Sequence, residues 1–298
     1  MKKIILLLAV LSIFSCASKK KKDDSGLKAI NSKESLSLLK ETNGLPAPES
    51  VVRDAEKNVL YVSCQAGELP GDGSIAKVSL DGELLDPKFT AGLNNPKGIA
   101  IVGDKMYVAD LLDLVEIDKE TGAILHKYTE DSIRFLNDVT VDKDGNIYVS
   151  DMFKSSIYKL DKDKNFKEWF ISPEMENPNG LLAIGDEMYL AGWGRFTDGQ
   201  PASAPKGCFQ KMNMNTMKIT KISADALGNL DGIQVNDTSS FIVSDWKGGK
   251  VFRIAKTGET KELLAINPGV GDILFMPEKG LLVLPMKEQN QILFYSVK

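Results

Sequence analysis

Most of what this sequence could use for chemistry recurs at one spacing. Glu49, Lys97, Asn137, Asn179, Asp231 and Gly271 follow one another at intervals of 48, 40, 42, 52 and 40 residues. Four of the six carry oxygen donors. Two carboxylates and two amides, with water in the remaining positions, suit Ca²⁺ at roughly 2.3 to 2.6 Å, and the two negative charges balance the ion. Zinc or copper would draw on His or Cys, which this set lacks. The whole chain has one histidine, His126. Multi-histidine zinc sites are therefore excluded, and a Ser-His-Asp arrangement would have to be built on that single ring. Asn and Asp also serve as turn residues, but that role does not call for three of them and a glutamate at the same repeat position.

The elements that must bring these residues together are legible as internal repeats. PKGIAIVGDKMYVAD from Pro96, LNDVTVDKDGNIYVSD from Leu136, PNGLLAIGDEMYLAG from Pro178 and LDGIQVNDTSSFIVSD from Leu230 share one pattern, with weaker copies from Pro48 and Gly269. In each, a short alternating apolar strand, a Gly/Asp/Asn turn, a second strand, a second turn and a third strand follow in order, which is the pattern of antiparallel hairpins. Repeats of 40 to 52 residues have the size of a four-stranded propeller blade. The last copy runs out after three strands. SLSLLKETNGLPAPES from Ser35 matches ELLDPKFTAGLNNPKG from Glu83, so residues 35–42 are expected to supply the missing outer strand and close the ring, removing an exposed sheet edge. The expectation is an all-β, six-bladed β-propeller of four-stranded antiparallel blades over residues 35–298, or 264 residues at 44 per blade. The innermost strand of each blade runs along the axis, which puts the six spaced residues at one mouth of the central channel.

With its repeats and the Glu, Asn, Asn, Asp quartet, the chain resembles the regucalcin/gluconolactonase (senescence marker protein) family, and more loosely paraoxonase and the squid-type fluorophosphatase. PES at 48–50, RFLND at 134–138, PNG at 178–180 and LDG at 230–232 carry the resemblance over about 250 residues. It implies a metal-dependent hydrolase in which Glu49, Asn179 and Asp231 hold a divalent cation. It also implies that Asn137 helps bind metal or substrate and that Asp231 assists water attack on a lactone. Ca²⁺ is the expected ion; the axial sites of this family also accept Mg²⁺, Mn²⁺ or Zn²⁺. Two features depart from the pattern. Gluconolactonases have one residue between a substrate-binding arginine and the asparagine, whereas Phe135 and Leu136 both separate Arg134 from Asn137. Lys97 stands where those enzymes carry a small or neutral residue, and its ammonium could pair with Glu49 or Asp231, contact substrate or replace the metal.

Loops after the second strands rise on the same face, and two are long: QAGELPGDG after Cys64, and residues 192–207. Trp193, Arg195, Phe196 and Trp246 are therefore expected to wall a pocket. Asp110, Asp151 and Asp245 share another repeat position and read as hairpin-turn residues. His126, in AILHKY, falls on an outer strand. Cys64 and Cys208 lie on opposite blades, too far apart for a disulfide. GDG at 71–73 lacks the Lys and helix of a phosphate loop.

The chain opens with MKKIILLLAVLSIFSC, two lysines and an eleven-residue apolar stretch from Ile4 to Phe14, too short to span a bilayer but right for a secretory signal. Its ending resembles a bacterial lipoprotein signal. Residues 1–15 are read as signal peptide, Cys16 as the lipidation site and residues 16–34, with SKKKKDDSG, as a solvated tether. An exported monomer anchored to the cell envelope follows. Lys plus Arg number 37 against 41 Asp plus Glu, a net charge of −4, which argues against nucleic acid. The expected function is hydrolysis of a lactone or related ester; the alternative is a non-catalytic envelope propeller that binds a protein or glycan.

Overall fold

A computed structural model describes residues 35–67 and 69–298. The signal stretch, Cys16 and the tether lie outside the described residues. The chain forms six four-stranded antiparallel sheets, each ordered from an inner strand outward. The inner strands of blades 1 to 5 are Pro48–Asp54, Pro96–Val102, Leu136–Val141, Pro178–Ile184 and Leu230–Asp237; that of blade 6 is the short Leu274–Met276. Blade 6 takes its outer strand from the other end of the chain. Leu36–Asn43 pairs with Gln291–Val297, from Leu36 opposite Val297 to Asn43 opposite Gln291, so the ring closes as the repeat arithmetic requires.

The second strands show why this sequence makes blades. Val59–Cys64 is buried along its whole length, yet it alternates. Leu60 and Val62 face blade 6, packing with Val283, Ile292 and Phe294, while Val59 and Tyr61 face blade 2, packing with Met106, Val108 and Val115. A strand covered on both faces must be apolar throughout. The other blade pairs form equivalent clusters, so the hydrophobic core is a ring of inter-blade layers. Outer strands are mostly exposed, as in Ile124–Thr129, where only Tyr128 is buried.

The inner strands approach each other more closely than side chains permit. A Cβ on Gly180 would lie 1.9 Å from the Asp231 carbonyl oxygen, and one on Gly98 would lie 2.4 Å from Asp138 Oδ1. At this crowded level each inner strand of blades 1 to 5 also slips register against its second strand, between Pro48 and Val51, Pro96 and Ile99, Leu136 and Val139, Pro178 and Gly180, and Leu230 and Ile233. The irregularity re-aims side chains, as β-bulges near sites do. It also frees backbone N–H groups, and in alternate blades a serine takes them. The N–H groups of Ser50, Asp138 and Gly232 donate to Ser63, Ser150 and Ser244 Oγ at 2.8 to 2.9 Å. Ser150 and Ser244 pass the bond on, donating to the carbonyls of Asn179 and Gly271 in the next blade, each at 2.8 Å.

Gly180→Ala is expected to destabilise the protein by about 3 kcal/mol or more, because the added methyl meets backbone rather than a movable side chain. Chemical denaturation would measure it; a variant within about 0.5 kcal/mol of wild type would contradict the close approach.

Candidate functional site

The register slips fall on the spaced residues. Glu49, Lys97, Asn137, Asn179 and Asp231 are all buried at the start of their inner strands, at 5, 3, 5, 1 and 3% exposure. Glu49, Lys97, Asn137 and Asp231 form part of the wall of a cavity of about 420 Å³, within the usual range for small-molecule sites. Asn179 is outside that wall, near enough to the Asp231 carboxyl for its amide to favour the charged form, against the larger upward push of burial. Asn137 directs Nδ2 to Met152 Sδ at 3.5 Å, leaving its carbonyl oxygen uncommitted.

Lys97 does not sit in an ion pair with either acid. Its ammonium donates to the Asn95 carbonyl at 3.0 Å and to the Asn95 side-chain oxygen, and lies 4.4 Å from the centre of the Phe135 ring.

One residue deeper, Asp138 and Asp272 come from opposite blades. Asp138 accepts from the backbone N–H of Val139 and Leu181, both at 2.6 Å, and Asp272 accepts from Ser50 Oγ at 2.8 Å. Burial dominates the electrostatics of all these groups. It pushes the Glu49 carboxyl up to about 8, with Lys97 opposing and Asp272 reinforcing the shift. It raises Asp272 to about 7. Asp138 and Asp231 lie well above the ordinary range, from burial first and then from the neighbouring acids. The same burial lowers Lys97 to about 8, although Glu49 favours its charge.

Two acceptors are left without donors: Glu49 Oε2 and Asn179 Oδ1 are buried and have no hydrogen-bond partner. Each such acceptor costs about 1 to 3 kcal/mol, and a cation would satisfy both. Among the described residues, no three His, Cys, Asp or Glu side chains form a metal-binding group by themselves. The amides of Asn137 and Asn179 would therefore have to complete a donor set with Glu49 and Asp231, and this all-oxygen set fits a hard cation.

The cavity has two unlike sides. Blades 3 to 5 supply all the large apolar side chains, Phe135, Met152, Phe153, Trp193 and Trp246, with Pro201, Ala202 and the polar Asn137, Asp231 and Lys247; blades 6, 1 and 2 supply only polar ones, Lys287, Glu49, Gln65 and Lys97. Trp193 and Trp246 pack with ring centres 5.7 Å apart. The 192–207 loop is drawn over the cavity by Trp193 Nε1 donating to the Pro201 carbonyl at 2.9 Å and by Lys247 Nζ donating to the Pro201 and Ala202 carbonyls, each at 2.7 Å. Phe196 stacks edge-on against Phe153 at 5.4 Å but is not in the wall. Arg134 and Arg195 are exposed and likewise outside the wall. Cys64 and Cys208 are free thiols.

Gln65, Met152, Phe153, Lys247 and Lys287 were not anticipated, but the repeat holds their signal. The positions one and two residues after Cys64, Asp110, Asp151, Gly192, Asp245 and Pro285 contain Gln65, Met152, Trp193 and Trp246, then Phe153, Lys247 and Lys287. The aspartates themselves are staples. Asp110 accepts from the N–H of Asn94 and Asn95 at 2.8 and 2.6 Å, Asp151 from Arg134 and Phe135 at 2.7 and 3.2 Å, and Asp245 from Asn229 and Gly248 at 2.9 and 3.1 Å. They fix the chain as it enters the inner strand as well as the hairpin turn.

No protein-family model matches the chain, and no curated protein matches it in sequence. Solved structures share its fold. Virginiamycin B lyase from Staphylococcus aureus superposes with a TM-score of 0.63 at 12% identity, over 88% of this chain and 99% of that one. A catalytically inactive histidine-to-alanine variant of that lyase, crystallised with quinupristin, gives 0.59 at 14% identity over 88% and 99%. Luciferin-regenerating enzyme gives 0.61 at 15% identity over 89% and 95%. The likeness establishes a six-bladed propeller of this architecture.

Glu49 and Asp272 hold protons in the fold at pH values where the unfolded chain, near the ordinary 4.5 and 3.8, has released them. Stability of the metal-free protein therefore falls as pH rises toward about 8. Lys97 acts oppositely at higher pH, since the unfolded chain keeps its proton to about 10.5. In the presence of a chelator, Tm is expected to decline from pH 5 to 8, less steeply in Glu49→Gln. A flat or rising wild-type profile would contradict these burial shifts.

Proposed function

We propose that the axial cavity is the active site of a cation-dependent hydrolase of lactones or related esters. The observation that carries this reading is the pair of buried, donor-less acceptors, Glu49 Oε2 and Asn179 Oδ1, beside two strongly perturbed carboxyls at the base of a largely apolar cavity. Perturbed acids in a cleft are what catalytic sites contain. Glu49, Asn137, Asn179 and Asp231 would hold the ion, with Ca²⁺ favoured by the oxygen-only donors. When bound, the cation supplies Lewis-acid polarisation of the ester carbonyl and stabilises charge developing on its oxygen. Asp231, raised well above the ordinary range by burial and by Glu49, Asp272 and Asp138, would need the neighbouring cation to favour its charged form, in which it would accept the proton of the attacking water. The aromatic wall would bind the apolar part of the substrate and exclude bulk water. The protein would act as a monomer outside the cytoplasm, anchored through Cys16.

A histidine-based mechanism has no support on this axis. The lyase that shares the fold is inactive when one of its histidines is alanine. The single histidine of this chain, His126, lies in the outer strand Ile124–Thr129 with its ring 4.4 Å from that of Tyr128. A non-catalytic envelope propeller would leave the perturbed acids beneath the cavity without a use.

The purified protein is expected to carry a divalent cation by elemental analysis and to turn over members of a lactone and ester panel. Asp231→Asn should lower kcat/KM by about 10² to 10⁴-fold with folding retained. A chelator should abolish turnover reversibly. A protein without bound cation that hydrolyses nothing on the panel would sink the proposal.

A further inference from the structure

The two-sided wall specifies a ligand more narrowly than the hydrolase reading does. Phe135, Phe153, Trp193 and Trp246 form one side, which offers few hydrogen bonds to a polyhydroxylated sugar ring. Opposite them stand Gln65 and Lys287. Gln65 is only 3% exposed, lines the cavity, and its side-chain amide has no hydrogen-bond partner among the described residues, the only bond there being from its backbone N–H to the Ala47 carbonyl. That amide is open to the cavity, so it is free to hydrogen-bond whatever occupies it. Lys287 also lines the cavity, and its charge acts on both Glu49 and Lys97.

Its ammonium has no described partner, unlike the other two lysines of the wall. Lys97 is held by Asn95, and Lys247 by the Pro201 and Ala202 carbonyls. The wall thus sets three lysines against two carboxylates, Glu49 and Asp231, in a chain whose net charge is −4. Any axial cation would offset those two acids and leave the lysines in excess. We infer that the cavity selects amphipathic organic anions, with an aromatic or aliphatic body against blades 3 to 5 and a carboxylate on the Gln65 amide and the Lys287 ammonium.

This inference shares the cavity with the hydrolase reading but does not need turnover. Carboxylate selectivity in a protein that hydrolyses nothing would remove the hydrolase and leave the selectivity standing. Isothermal titration calorimetry of the full-length protein at pH 7 would compare 4-phenylbutyrate with neutral 4-phenylbutanol, with Ca²⁺ and with a chelator. The carboxylate is expected to bind about tenfold tighter or better under both conditions, as one charge-assisted hydrogen bond allows. Lys287→Met and Gln65→Leu should each reduce that ratio, Lys287→Met to near unity, while Lys287→Arg retains it. Equal wild-type affinities would overturn the inference. So would a ratio unchanged in Lys287→Met, or one that disappears with the chelator and survives Lys287→Met, since the anion would then sit on the cation.

Discussion

The crowding of the inner strands at the axis is the constraint on which the rest of the molecule depends. Where a Cβ at position 98, 180, 232 or 271 would overlap a neighbouring blade, backbone must pack on backbone. The polar groups there must then find partners across blades. Asp272 N–H donates to the Glu49 carbonyl at 2.8 Å and Val51 N–H to the Asp272 carbonyl at 3.3 Å, so the last blade is joined to the first at the level of the site. The same crowding buries Glu49, Asp138 and Asp231, and partly buries Asp272, and raises all four. A device that closes the ring is thus also what perturbs the acids.

The long-range architecture was legible in the sequence because a propeller repeats its constraints. Each blade needs a doubly buried second strand and a tight inner-strand start, and those demands recur in VLYVSC, KMYVAD, IYVSD and SFIVSD. Ring closure by residues 35–42 could be read because the outer strand of blade 1 has the same apolar pattern, and the structure places that strand at Leu36–Asn43. The site was legible only as far as it follows the repeat. Glu49, Asn137 and Asp231 reach one cavity because each starts an inner strand. Arg134 and Trp193, both beside the strands, part company, since Trp193 is pinned by Pro201 and Arg134 is committed only through its backbone to Asp151. The position of Lys97 depends on Asn95 and the Phe135 ring, a contact between blades that spacing does not encode.

In the proposed reading, divergence between blades would set ligand preference. The long blade 4 loop owes its path to buried amides just before the inner strands of blades 5 and 4: Asn229 Nδ2 donates to the Trp193 carbonyl at 2.6 Å, and Asn177 Oδ1 accepts from Phe196 N–H at 3.1 Å while its Nδ2 donates to the Met152 carbonyl at 2.7 Å. Between the strand end at Gly192 and the bridge of Gly207 to Gly228, the loop is thus held by side-chain amides rather than by a sheet ladder. Its tryptophan then packs with Met152 and Ala204 in a small cluster separate from the inter-blade cores. Specificity can change there without disturbing the ring, since that cluster rests on hydrogen bonds of its own.

The placement of Lys97 bears on how the acids are neutralised. Four raised carboxyls share one channel, and the ammonium inserted among them is bonded to Asn95 and lies over Phe135. A lysine that had taken the place of a metal would be expected to bond Glu49 or Asp231 directly, because an unpaired buried charge costs several kcal/mol. Lys97 instead offsets negative charge from the side and leaves Glu49 Oε2 unsatisfied. The remaining negative charge has two ways to be met, protons or a divalent ion, and both act on the same oxygens. If the axis holds a cation as proposed, protons and the ion would compete for these oxygens, and cation affinity would be coupled to pH through the raised Glu49 and Asp231 carboxyls. Lys97, which favours ionisation of Glu49, would repel such an ion and so set where that competition falls.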